Sequence, residues 1–259
     1  MHVDESVLTA AIERLSSAGC VAAAEEAVEL LAAVTDELTL ESWIARREQG
    51  EPLAWITGTT RFCGLTAFVD AGVYEPRIQS EELANRAAGL LPTHGRAVDL
   101  CTGAGVIAAY LQSAVPTATV IGVDVDPRAA ACARRNGVPT LVGDLAAPIR
   151  AGAFDVVTAV APYVPTDAIR LLPADVQRYE PRVALDGGDD GLDLVRRVIT
   201  AAHRLLRPGG WLVTEIGGEQ FEDLQPTLAD SGFDLVTPWY DDEGDLRGIS
   251  VSHSGILNV

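Results

Sequence analysis

The sequence predicts an α/β fold: a mostly parallel sheet with helices on both faces, behind a small helical domain and a linking hairpin. Three observations carry that prediction. From Arg96 onward, short apolar runs alternate with helix-like segments, the pattern of successive β–α–β units. The run Ala97 to Leu100 passes through Cys101-Thr102-Gly103-Ala104-Gly105 straight into a helix-like stretch, Val106 to Gln112. Strand-like runs also deliver Asp99, Asp124, Gly143-Asp144 and Ala161-Pro162-Tyr163 at their C-terminal ends. In an open parallel sheet that edge is where ligands bind.

Residues 1–50 read as the helical domain. Within 3–49, Val7, Ile12 and Leu15 mark one amphipathic segment. Ala22 to Val34 is rich in alanine, glutamate and leucine, and Leu38 to Arg47 continues the pattern after a break that Asp36 or Thr39 can cap. No chemistry is evident there, and the domain reads as a structural or substrate-orienting cap. Residues 51–75 change character. From Glu51-Pro52-Leu53, through Ile56-Thr57-Gly58, Arg61-Phe62-Cys63-Gly64 and Phe68-Val69-Asp70, apolar residues alternate and glycines interrupt them, as in a hairpin.

Residues 76–259 form the main domain. Arg77 to Leu91 reads as a helix capped by Ser80, with Glu81 and Glu82 in its first turn. The apolar run Ala118 to Val123 leads to Asp124, and Pro127 to Arg135 is a helix with proline near its start. Thr140 to Val142 and Phe154 to Val160 are further strands. Leu192 to Leu206 is a long amphipathic helix, ended by Arg207-Pro208-Gly209-Gly210. Trp211 to Ile216 is a strand, Phe221 to Ser231 a helix, and Phe233 to Trp239 and Gly248 to His253 the last strands. The acidic turn Asp241 to Asp245 joins those two into a hairpin at the sheet edge.

Composition narrows the function. The chain has 259 residues, 48% of them hydrophobic, and a net charge of −18. Every basic residue other than histidine is arginine, which excludes a Schiff-base or phosphate-loop lysine. The negative charge opposes binding to nucleic-acid phosphates and to anionic membranes. The four cysteines are scattered and the four histidines form no close-spaced pair, so no metal site or disulfide framework is indicated. The start of the chain lacks the pattern of a signal peptide, and no apolar run reaches the roughly 18 residues of a spanning helix. A reduced, cytoplasmic protein is expected; oligomeric state stays open.

The turn after the first sheet strand points to a nucleotide-like ligand. Glycines let a ligand approach the backbone, and the helix start offers free N–H groups. Asp124 lies about twenty residues on, where such folds place a carboxylate on ribose hydroxyls. The turn lacks the third glycine of the dinucleotide fingerprint, and Asp99 beside it repels a pyrophosphate. A ligand with an ammonium group suits it better. S-adenosylmethionine meets these demands: its amino-acid end at Asp99 and the turn Cys101, Thr102, Gly103, Ala104 and Gly105, its ribose at Asp124 with Val125, and its adenine at Asp144 with Leu145.

At this point the chain resembles the HemK/PrmC family. The likeness runs over about residues 50–250 and rests on several separate stretches. Glu51-Pro52-Leu53, Ile56-Thr57-Gly58 and Phe62 look like the family's interdomain hairpin. Pro76-Arg77 with Glu81 is similar to its Pro-Arg-x-x-x-Glu segment. Asp99 to Gly105 is similar to Asp-Leu-Gly-Thr-Gly-Ser-Gly, with Cys101 at the first glycine. Arg178-Tyr179-Glu180-Pro181, Ala184-Leu185-Asp186-Gly187-Gly188 and Asp190-Gly191-Leu192-Asp193 resemble a stretch close to unique to the family. The resemblance implies a Rossmann-like class I S-adenosylmethionine-dependent methyltransferase sheet. It also implies methylation of the glutamine side-chain amide in the Gly-Gly-Gln motif of peptide-chain release factors, without a metal.

Where the family carries Asn-Pro-Pro-Tyr, this chain reads Val160-Ala161-Pro162-Tyr163, its candidate catalytic residues. An amide nitrogen is a poor nucleophile because its lone pair is delocalised. A side-chain oxygen and a backbone carbonyl that accept its two N–H bonds orient it toward the methyl group. The carbonyl of Ala161 remains; Val160 offers no side-chain acceptor. Two enzymatic readings stay open, glutamine methylation with an acceptor from elsewhere or transfer to a small-molecule or other nucleophile. A non-catalytic S-adenosylmethionine-binding protein is a third. Arg77, Glu180 and Pro181 are substrate-pocket candidates, and Arg77 with Glu180 can equally be an internal ion pair. The Tyr163 ring either packs on the acceptor or lies half buried at a β–α turn. Asp186, Asp189 and Asp190 read as turn and capping residues.

Overall fold

The computed structural model describes residues 5–218 and 220–253; the start of the helical stretch read from residue 3, the histidine His2 and the side chain of His253 lie outside them. Three helices open the chain: α1 (Glu5–Ser17), α2 (Ala23–Ala33) and α3 (Glu37–Glu48). Asp36 caps α3, accepting a hydrogen bond from the Thr39 N–H at 2.9 Å. Leu15, Leu30, Leu40 and Ile44 bury together in a core of their own, which Ile56 closes.

The linking segment differs from a plain hairpin. Leu53–Thr57 is a short helix, α4, because Pro52 starts it without needing an N–H partner and Gly58 ends it in the left-handed region, φ +77. The hairpin proper is β1 (Thr59–Phe62) with β2 (Leu65–Phe68). Helix α5 (Ser80–Leu90) then starts three residues later than expected. Ser80 is its first residue and not its cap; Ser80 is buried and its side chain hydrogen-bonds Glu215.

Among the described residues, the main sheet has seven strands in the order β5-β4-β3-β6-β7-β9-β8. These are β3 (Arg96–Leu100), β4 (Thr119–Asp124), β5 (Thr140–Val142), β6 (Phe154–Ala159), β7 (Leu206–Glu215), β8 (Phe233–Tyr240) and β9 (Leu246–His253). The first five in that order run parallel; β9 lies antiparallel between β7 and β8. Arg207–Gly210 belongs to β7, because the chain turns directly from helix to strand there. Alternating side chains feed two cores. Helices α5, α6 (Val106–Ala114) and α7 (Pro127–Arg135) cover one face; α9 (Asp193–Leu205) and α10 (Gln220–Asp230) cover the other.

Between β6 and α9 the chain makes two 3₁₀ turns, Thr166–Leu171 and Arg182–Ala184, around α8 (Ala174–Tyr179). None of the described helices is long and apolar enough to cross a membrane.

Candidate active site

The C-terminal ends of β3, β4, β5, β6 and β7 open into one cavity of about 1680 Å³. Its wall includes Cys101, Thr102, Gly103, Ala104, Asp124, Val125, Asp144, Leu145 and all four residues from Val160 to Tyr163. Arg77, Glu180 and Pro181 line it too, as do Val21 and Ala22 of the helical segment. Two of the expected residues stand apart, Asp99 and Gly105.

The turn after β3 shows why. Cys101, Gly103 and Gly105 all have left-handed φ, +55, +56 and +80. A Cβ on Gly103 would meet no protein atom within 4 Å, so its backbone is bare toward the cavity. A Cβ on Gly105 would lie 2.8 Å from the Ala133 Cβ, so this glycine lets the start of α6 pack on α7. Asp99 sits beneath the turn, 1% exposed. Its carboxylate accepts hydrogen bonds from the Thr102 hydroxyl at 2.6 Å and the Thr158 hydroxyl at 2.7 Å. Thr158 is its register partner on β6. The expected contact with an ammonium group therefore falls away; Asp99 holds the turn. Burial pushes its carboxyl up to about 6 against those two hydroxyls.

Asp124 does face the cavity. It accepts from the Gly103 N–H at 2.8 Å and the Asp126 N–H at 2.9 Å, which ties the β4 turn to the β3 turn. Burial raises its carboxyl above the ordinary range against those bonds. Asp144 is exposed at the rim and pairs with Arg197 at 2.6 Å.

The turn 160–163 is held by the loop that follows it. Val164 N–H donates to the Leu185 carbonyl, and Gly187 N–H donates to the Val164 carbonyl. A Cβ on Gly187 would meet the Pro162 carbonyl at 2.8 Å, and one on Gly191 would collide with the Tyr163 carbonyl. The glycines of Asp186-Gly187-Gly188 and Asp190-Gly191 thus let the loop lie against the turn. Asp186 accepts from Thr166 and Arg182, and Asp190 from the Leu192 N–H, the turn roles expected of them. The Tyr163 ring lies beside Gly217, and burial, with the Glu215 charge, pushes its phenol up to about 12.

Arg77 and Glu180 form an ion pair, and both line the cavity. Glu180 is 6% exposed; burial pushes it up to about 7 despite Arg77, and its Oε2 is buried without a partner. Sequence reasoning missed Glu215, whose Oε1 is likewise buried and unpartnered in the same cavity. The signal was available: Glu215 is an acid at the C-terminal end of a sheet strand, like Asp124.

The lining suits S-adenosylmethionine. Acidic side chains (Asp124, Asp126, Asp144, Asp175, Glu180, Glu215, Asp245) outnumber the basic Arg77, Arg197 and Arg247, which favours a cationic ligand over a polyphosphate. The bare Gly103 backbone admits close approach, and the carboxylate at Asp124 matches a ribose diol.

Fold and sequence define a class I S-adenosylmethionine-dependent methyltransferase. The family described as "Methyltransferase domain" matches residues 97–179. The methyltransferase structure from E. cuniculi, Mtq2-Trm112, described as responsible for methylation of the eRF1 translation termination factor, superposes with a TM-score of 0.53. It is 21% identical and covers 71% of this chain and 99% of that chain, a likeness of fold. The chain belongs to the release factor glutamine methyltransferase family. It is 39% identical to the Geobacter sulfurreducens member over 73% of this chain and 69% of the relative, and 35% identical to the Thermodesulfovibrio yellowstonii member over 76% and 75%.

Proposed function

We propose that this protein methylates the side-chain amide nitrogen of a protein glutamine, in a release factor of the Gly-Gly-Gln type. The observation that carries this reading is one cavity in which the bare turn at Gly103 faces the 160–163 turn with buried, unfilled carboxylate oxygens beside it. A neutral amide N–H fits such an oxygen. When bound, S-adenosylmethionine supplies an electrophilic methyl group on a sulfonium centre. Residues 101–104, with Asp124 and Val125 and with Asp144 and Leu145, hold the cofactor. The Ala161 carbonyl accepts one amide N–H, and the Pro162 and Tyr163 walls narrow the slot so that the nitrogen meets the methyl in line. The Arg77–Glu180 pair ties the segment before α5 to the loop after β6 and closes the site from water. A release-factor acceptor implies a cytoplasmic setting.

Val160 favours a second acceptor class, a small molecule with an apolar body, since valine adds a methyl surface to the slot. The test is label transfer from S-adenosylmethionine to purified release factor and to its Gln→Ala variant in the Gly-Gly-Gln motif. Label in the first alone supports the glutamine reading. Equal label in both, or none in either, sinks it.

A further inference from the structure

We propose that Glu215 is a catalytic residue of this protein, the side-chain acceptor for an N–H of the substrate amide. The inference rests on the glutamine reading above. Strands β6 and β7 run parallel, with Ala159 paired to Thr214. Continuing that register one residue past its last pair sets Val160 beside Glu215 on the same face, at the roughly 5 Å spacing of neighbouring strands, and both residues line the cavity. That face carries Val156 and Val213 and is covered by α5. Val160 has no polar atom to offer there; Glu215 does.

The carboxylate is built in. Glu215 is 7% exposed, Ser80 of α5 hydrogen-bonds it, and Oε1 is buried with no partner while the residue lines the cavity. A buried acceptor left empty costs stability, and a ligand N–H removes that cost. Tyr74, Tyr163 and Arg247 are further groups coupled to its charge. Glu180 has a free oxygen too, but Arg77 holds it on the loop after β6.

The chemistry balances. The amide nitrogen forms a bond to the methyl carbon as the sulfonium carbon–sulfur bond breaks, its electron pair going to sulfur. The nitrogen then gives up one proton, which passes to the Glu215 carboxylate and on to solvent. A carboxylate hydrogen-bonded to that N–H favours the positive charge that develops on nitrogen.

The full chain is tested as wild type, Glu215→Ala, Val160→Asn and the double variant. Each is assayed for label transfer to release factor and titrated by calorimetry with S-adenosylmethionine and with Gly-Gly-Gln and Gly-Gly-Ala peptides. Glu215→Ala is expected to lose about 10²–10³ in kcat, with cofactor Kd changed by less than about threefold. Its affinity for the Gly-Gly-Gln peptide falls about tenfold, and its affinity for Gly-Gly-Ala does not. Adding Val160→Asn to Glu215→Ala restores at least about tenfold of the rate, because an amide oxygen returns to the same place. An undiminished rate in Glu215→Ala, or a loss that Val160→Asn leaves unrepaired, overturns the role of Glu215. A wild type that labels no release factor overturns the glutamine reading instead. Thermal melts check folding, and Glu215→Gln, which keeps an acceptor oxygen, serves if the alanine variant melts early: it should retain most of the peptide affinity, and a full loss counts against the proposal.

Discussion

Asp99→Asn separates a residue that holds a turn from one that binds a ligand. In the folded protein the Asp99 carboxyl titrates near 6, against an ordinary 3.8, because burial outweighs the two threonine hydroxyls. Ionising it there costs about 3 kcal/mol more than in the unfolded chain. Below the ordinary value it is neutral in both states and costs nothing. As pH rises from 3.8 through about 6, the unfolded chain ionises first and stability falls. Asparagine has the shape of the protonated form and stays neutral. Its oxygen keeps one threonine hydroxyl, and its NH₂ group faces the other threonine oxygen, which turns to accept. The variant should therefore match wild type near pH 4 and exceed it by about 3 kcal/mol near pH 8. Urea unfolding followed by tryptophan fluorescence reads this as a midpoint shift of about 1 M. Calorimetry should give cofactor affinity within about tenfold of wild type, since the carboxylate is not on the cavity wall. Parallel stability-versus-pH curves for the two proteins, or cofactor binding lost with stability unchanged, would refute the reasoning.

Other substitutions read other parts of the site. Gly103→Ala should cost about 1–2 kcal/mol in unfolding for its left-handed φ, yet lower cofactor affinity at least tenfold by calorimetry, because the new methyl stands in open cavity. Gly105→Ala should cost about 2–5 kcal/mol, the same backbone strain plus a 2.8 Å clash with Ala133, seen as a lower melting temperature. Arg77→Ala leaves Glu180 buried without its cation; discounting for the half-exposed arginine, the loss is about 2–4 kcal/mol. That loss is largest above the Glu180 value of about 7 and fades as pH falls below it and the carboxyl protonates. Adding Glu180→Gln should recover most of it, as unfolding midpoints at both ends of that range will show.

The sheet was legible because its strands are short apolar runs that end in acids or glycines, and because Pro127 and Asp36 mark helix starts by local chemistry. Helix α4 was not, since five residues hold too little period and the proline–glycine frame reads equally as a turn. Ser80 looked like a cap because it precedes two glutamates; its hydroxyl goes to Glu215, a partner more than a hundred residues away that no local pattern reveals. Gly103 and Gly105 are alike in sequence and differ only in what stands opposite, open cavity for one and Ala133 for the other. The loop from 164 to 191 is held by backbone bonds to the 160–163 turn and by glycines pressed against it, contacts that composition alone does not encode.

Three buried carboxyls near the sheet edge are all pushed upward by desolvation, and that shift does not distinguish them. What distinguishes them is where their oxygens go. Both oxygens of Asp99 are taken by threonine hydroxyls from the adjoining turn and strand, so its burial fixes backbone geometry. Glu180 and Glu215 each keep one oxygen unfilled, and both face the cavity. The fold carries the cost of those two oxygens in the ligand-free state, and a donor that fills them turns the cost into binding free energy. In a site whose substrate-orienting turn has a valine where the proposed reaction needs an acceptor, the neighbouring strand supplies the atom. The parallel register of β6 and β7 lets the acceptor move one strand sideways while the backbone of the turn stays where it is.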